Sequence, residues 1–72
     1  MSRRRFEFVR DSSAKFYEVT TEGRNVTICF GRIGTHGQSL TKSLPDNLAA
    51  AKHADKLIHE KLAKGYVEAS LA

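Results

Sequence analysis

Turn-forming residues recur so closely in the first 43 positions that no crossover helix fits between them. Asp11-Ser12-Ser13-Ala14, Thr21-Glu22-Gly23-Arg24-Asn25 and Gly34-Thr35-His36-Gly37 are the three breaks. They offer side chains that bond their own backbone, and Gly or Asn for positive φ. Between them lie stretches rich in aromatic and β-branched residues: Phe6 to Val9, Lys15 to Thr20, Val26 to Ile33 and, more weakly, Gln38 to Ser43. Parallel strands need a connection of a dozen or more residues, whereas antiparallel strands close through a short turn. The spacing therefore predicts an antiparallel meander with its fourth strand at an edge.

The period changes after Pro45. Leu48, Ala51, Ala54, Leu57, Ile58 and Leu62 recur at three- and four-residue steps, the repeat of an amphipathic helix. Asp46 is a suitable N-cap, and Gly65 stands where a left-handed residue ends a helix. A helix over about residues 46–64 is roughly 28 Å long at 1.5 Å per residue. Tyr66-Val67 then allows a short last strand. The predicted class is α+β: an antiparallel β-sheet of 4–5 strands with one long C-terminal α-helix packed on one face.

One helix covers one face. Yet apolar side chains occur at both strand parities, and successive strand residues point to opposite faces. Phe6, Phe8, Val26, Ile28 and Phe30 on one side, and Phe16, Val19, Cys29 and Ile33 on the other, predict apolar surface left on the open face or its rim. Of the two neighbours Phe16 and Tyr17, one is expected in the core and the other at the border of the open face.

The chain is 72 residues long with a net charge of +4, enough for one small domain. Its single Cys excludes an internal disulfide framework and fits a reducing cytoplasm. No apolar run approaches the roughly 20 residues of a membrane span, and no signal-peptide core follows the N-terminal arginines. The charge is uneven. Residues 1–45 carry eight basic and four acidic side chains, and residues 46–72 carry four of each. Five of the six aromatics lie in the basic part. Such interleaving suits phosphate and base contact, although net charge also serves solubility and aromatics also fill cores.

Catalytic and cofactor patterns are missing. His59-Glu60 opens like a zinc-protease motif, but Ala63 stands where its second His belongs. Gly31, Gly34 and Gly37 have neither the spacing nor the following helix of a dinucleotide site. Gly34-Thr35-His36-Gly37 lies between strands, where a KH-type loop joins helices. The reading is no enzyme, no metal and no cofactor.

Three segments in order carry a resemblance: Lys15-Phe16-Tyr17-Glu18-Val19, Phe30-Gly31-Arg32-Ile33-Gly34-Thr35-His36-Gly37-Gln38, and Lys61-Leu62-Ala63-Lys64-Gly65-Tyr66. Together they resemble the WGR domain, whose name is a Trp-Gly-Arg core followed by Ile/Val-Gly and then Gly-Gln. The likeness runs from about Phe6 to Glu68. Phe30 takes the place of the Trp, keeping a flat apolar ring and losing the indole N–H donor.

The resemblance implies a sheet with one helix against it and a module that binds DNA near strand breaks in poly(ADP-ribose) polymerases, where catalysis resides in another domain. It also implies contacts to neighbouring protein domains. The expected nucleic-acid-binding residues are Phe30, Gly31, Arg32, Lys15 and Lys42, with Arg3, Arg4 and Arg5. Gly31 is expected to let the backbone approach a partner. Expected boundaries are a basic arm at 1–5, a WGR-like domain at 6–68 and a tail at 69–72. The resulting expectation is a stand-alone, non-catalytic, cytoplasmic module that binds nucleic acid, DNA in preference to RNA, without a membrane. A protein-interaction or self-associating adaptor, including a homodimer, is the alternative.

Overall fold

The computed structural model of the chain describes residues 2–69. Four strands follow one another as β1 (Ser2–Arg10), β2 (Ser13–Glu22), β3 (Asn25–Arg32) and β4 (Gln38–Ser43). Helix α1 (Asn47–Ala63) and a short β5 (Val67–Ala69) complete the order. All pairings are antiparallel, and the spatial order is β4-β3-β2-β1-β5. The first two hairpins turn on only two residues, Asp11-Ser12 and Gly23-Arg24, as the local turn chemistry predicts. β4 lies at an edge, and β5 returns to pair with β1.

β1 begins at Ser2, so Arg3, Arg4 and Arg5 belong to a strand and do not form an arm ahead of the domain. Backbone pairing with β2 on one side and, at Arg5, with β5 on the other holds them there. Ala69 is likewise paired, opposite Arg5. The remainder of the expected tail lies outside the described residues.

The core sits between α1 and one sheet face. Phe6, Tyr17, Val19 and Val26 pack beneath Ala50, Ala54 and Ile58 of the helix. Val19 pairs with Ile28 and so shares the face of Tyr17 and Phe30. The expectation that Val19 faces the other way is therefore corrected. The helix contact stripe differs too. Leu48 and Leu62 are exposed, while Ala50, Ala54 and Ile58 are buried at four-residue steps. Small alanines let the helix axis approach the sheet, whereas leucines in that stripe would hold it off. Asp46 caps α1, its Oδ1 accepting the Ala49 N–H at 2.8 Å. Lys64 follows as C-cap, and Gly65 turns the chain away at φ +101°.

The other sheet face is not an apolar surface. Glu7, Glu18, Thr20, Thr27 and Thr41 project there with Arg5, in register with one another. Phe16 is the large ring on this side, and it is 4% exposed. Arg5 covers it, with the guanidinium carbon 4.6 Å from the ring centroid. The loop at 33–37 covers it from the β3 side. A Cβ on Gly37 would lie 2.7 Å from Phe16 Cζ and would run into the Phe30 carbonyl. A Cβ on Gly31 would lie 2.8 Å from Gly37 Cα. The two glycines thus let the loop fold flat over Phe16. On this side the space at Gly31 is taken by the chain's own backbone at Gly37.

Candidate functional site

The strand ladder turns from apolar to basic at one end. On the helix-bearing face, Val19 pairs with Ile28, Tyr17 with Phe30, and Lys15 with Arg32. Lys15 and Arg32 are thus like charges directly opposite one another, an arrangement that destabilises a sheet. Phe8, paired with Lys15 across β1 and β2, extends the aromatic part. Helix α1 stops short of this end, and Lys61 in its last turn reaches over the rings. Lys61 Nζ stands 4.7 Å from the Tyr17 centroid and 5.4 Å from that of Tyr66. Lys15 Nζ stands 5.6 Å from the centroid of Phe8, whose ring meets Tyr66 at 5.4 Å.

These groups enclose a groove of about 570 Å³. Ile28, Phe30, Tyr17 and Tyr66 form its apolar lining, Ser12 and Ser13 contribute from the β1–β2 turn, and Lys15, Arg32 and Lys61 supply charge. No carboxylate lines it. Among the described residues none of the three cations makes a salt bridge. Burial, followed by the nearby positive charge of Lys64 and, after the opposing pull of Glu60, that of Lys15, lowers the Lys61 pKa below the ordinary lysine value. Burial also raises the Tyr17 pKa, so its phenol stays neutral. The groove therefore favours an anion with an apolar part.

The loop that follows β3 aims Arg32 into this space. Thr35 returns both its N–H and its hydroxyl to the Arg32 carbonyl, at 3.1 and 2.7 Å. Ile33 N–H donates to the Ala14 carbonyl at 2.9 Å. The backbone on either side of Arg32 is held while its side chain remains exposed. Phe30 serves in two ways, packing against the core cluster and lining the groove.

The structure brings together Phe30, Gly31, Arg32 and Lys15 of the expected residues and separates the others. Lys42 pairs with Val26, six residues along β3 from Arg32 and about 20 Å away at strand spacing. Arg3 projects from the opposite face, exposed. Arg4 bonds Glu68 through two parallel contacts of 2.8 Å. That bonding raises the Arg4 pKa and lowers the Glu68 pKa. Arg5 bonds Glu7 at 2.9 Å and Glu18 at 2.6 Å, and these bonds raise its pKa. Arg4 and Arg5 are neutralised where they stand. Conversely, Lys61 and the groove role of Tyr66 were absent from the expected site. Their signal was the Lys61–Tyr66 motif itself, which pattern alone assigns to the helix end.

Among the described residues, no group of three or more His, Cys, Asp or Glu could hold a metal ion. No described helix is long and apolar enough to cross a membrane.

The model of the WGR domain matches residues 2–72. Protein YehF of Escherichia coli strain K12 is 48% identical over 65 residues, which are 90% of this chain and 24% of that protein. YfeS of the same organism is 33% identical over 66 residues, 92% of this chain and 27% of that one. A Bacteroides fragilis protein of known crystal structure superposes with a TM-score of 0.93 at 39% identity. It covers 96% of this chain and 20% of its own. The chain thus spans about a quarter or less of the length of these relatives.

Proposed function

Since this chain belongs to the WGR domain family, we propose that it is a non-catalytic module that binds nucleic acid, DNA in preference to RNA, through the groove at the end of β2 and β3. The observation that carries this reading is the unneutralised triad of Lys15, Arg32 and Lys61 around an aromatic lining. A like-charge pair across a ladder weakens the fold, and an anionic ligand reverses that penalty. Phosphate oxygens meet the three cations, and Phe30 offers a ring against sugar or base. The contact is to the backbone and to the half-buried rings of Phe30 and Tyr66, so it carries little base sequence information. The lone Cys29 suits a reducing setting such as the cytoplasm.

Anisotropy titrations on nicked, blunt and single-stranded DNA test it. About three phosphate contacts give a slope near −2.7 in log K against log salt for duplex DNA. Arg32→Gln lowers affinity and makes the slope shallower by about 0.9. Absence of binding below roughly 100 μM at low salt, the weak end of non-specific DNA affinity, would overturn the reading.

A second reading rests on β4. Its outer edge is unpaired among the described residues, and Leu40 at its middle is 62% exposed. Such an edge accepts another strand. In a two-fold antiparallel pairing centred on Leu40, Lys42 would face Gln38 and the leucines would meet. Sedimentation across concentrations tests this: dimers lost in Leu40→Lys support it, and a monomer at every concentration contradicts it.

A further inference from the structure

Resting on the groove reading above, we propose that the unit this groove accepts is a single nucleotide, and that a free nucleoside monophosphate is sufficient to occupy it. The volume of about 570 Å³ falls among small-molecule sites of roughly 300–1,000 Å³. The arrangement of charge carries the argument further. A groove that tracks a nucleic-acid backbone presents cations in a row along its length. Here Lys15 and Arg32 are direct cross-strand partners, and Lys61 lines the same groove from the helix end, its Nζ over Tyr17 one ladder step inward. Three cations lining one small volume suit one phosphate that carries close to two negative charges.

Chemistry changes along the groove in the direction such a ligand requires. Its outer end holds the Lys15–Arg32 pair and the hydroxyl-bearing turn at Ser12 and Ser13. One ladder step inward come Tyr17 and Phe30, and a further step brings Ile28. Tyr66 stands to one side. A phosphate at the outer end places an attached sugar and base over Phe30 and toward Ile28. A bare phosphate leaves that apolar floor unused, and a neutral nucleoside leaves the cations without a partner.

Calorimetric titration of the chain with adenosine monophosphate, adenosine, inorganic phosphate and phenyl phosphate tests this. Amide-shift mapping and competition against a labelled oligonucleotide accompany it. The expected result is adenosine monophosphate binding at least tenfold tighter than phosphate, adenosine or phenyl phosphate, shifting Phe30, Arg32 and Tyr66, and displacing the oligonucleotide. Arg32→Gln and Lys61→Gln, both at exposed or half-exposed positions, should each weaken it at least fivefold. Lowering the pH past about 6, where the phosphate takes up a proton, should weaken it as well. Equal affinity for phosphate and the nucleotide overturns the inference, as does equal affinity for phenyl phosphate, which would make the groove a site for any phosphorylated ring. Oligonucleotide binding that depends on Arg32 but ignores adenosine monophosphate overturns the inference and leaves the nucleic-acid reading standing. Nucleotide binding without oligonucleotide binding does the reverse.

Discussion

Arg5 and Arg32 are both basic, both on inner strands of the sheet, and differ in every physical respect that decides function. Arg5 projects from the face away from the helix, lies on Phe16 at 4.6 Å, and is bonded to Glu7 and Glu18. Arg32 projects from the helix-bearing face, opposite Lys15, beside a groove without a carboxylate. One holds a ring and a loop in place on its own side of the sheet. The other faces a largely apolar cleft and makes no salt bridge among the described residues. The net charge of +4 does not describe either situation. What matters is which cations already have a carboxylate within hydrogen-bond reach.

The comparison is most easily broken at Lys15. Lys15→Glu puts an acid opposite Arg32, so DNA affinity is expected to fall by about 100-fold as two charge units leave the groove. The fold should gain about 0.2–1 kcal/mol from the new opposite-charge pair. Titration and thermal melts read the two effects, and a loss of stability parallel to the loss of binding would contradict the account.

Gly37→Ala tests the link between the two faces. The added Cβ meets the Phe30 carbonyl and Phe16 at a residue whose φ is +70°. A stability loss of about 1–3 kcal/mol follows from backbone strain and displaced contacts. Some groove affinity should go with it, because the same loop holds Arg32. Arg5→Met keeps an apolar stem over Phe16 but abandons Glu7 and Glu18. It should cost about 0.5–1 kcal/mol in melting experiments and leave DNA affinity within about twofold, because Arg5 cannot reach the groove.

The smallest effect is that of pH on Lys61. Its lowered pKa means that the charged form is disfavoured in the free fold. The unfolded chain holds this proton to higher pH, so folding stability from this group rises as pH climbs through its folded value. Ligand binding has the opposite sign, because a phosphate needs the charge. Affinity should therefore begin to decline a few-fold at an alkaline pH below the usual lysine range. Lys61→Arg should abolish that decline in titrations between pH 8 and roughly 10, since arginine stays charged there.

What the sequence reveals of this molecule follows the range of the interactions involved. Turns at Asp11-Ser12 and Gly23-Arg24, and the Asp46 cap, depend on residues within a few positions of one another. The meander and the helix were therefore legible. Motif order also singled out Lys15, Phe30 and Arg32, which the β2–β3 register places on neighbouring rungs. The fate of Arg4 was not legible, because its partner Glu68 is 64 positions away. Arg5 needed the β1–β2 register to find Glu18. Lys61 joined the site only when the helix end was laid over Tyr17. Val19 was misplaced because it was grouped with Phe16, three positions away in the same strand, where alternation sends the two side chains to opposite faces. Alternation alone does not say which of Phe16 and Tyr17 meets the helix, and the close fold of Gly31 against Gly37 that buries Phe16 on the other face is a tertiary event.

The central claim is that position, not the amount of positive charge, makes the binding surface. Two double variants with the same change in net charge test it most directly: Lys15→Gln with Arg32→Gln in the groove, and Arg4→Gln with Arg5→Gln outside it. Both are titrated against one labelled oligonucleotide at a single low salt concentration, after melts confirm that each is folded. The expected result is a loss of about 100-fold for the groove pair, roughly tenfold for each phosphate contact, and a change within about threefold for the other pair. Equal losses in the two proteins would contradict it, since affinity would then follow net charge alone.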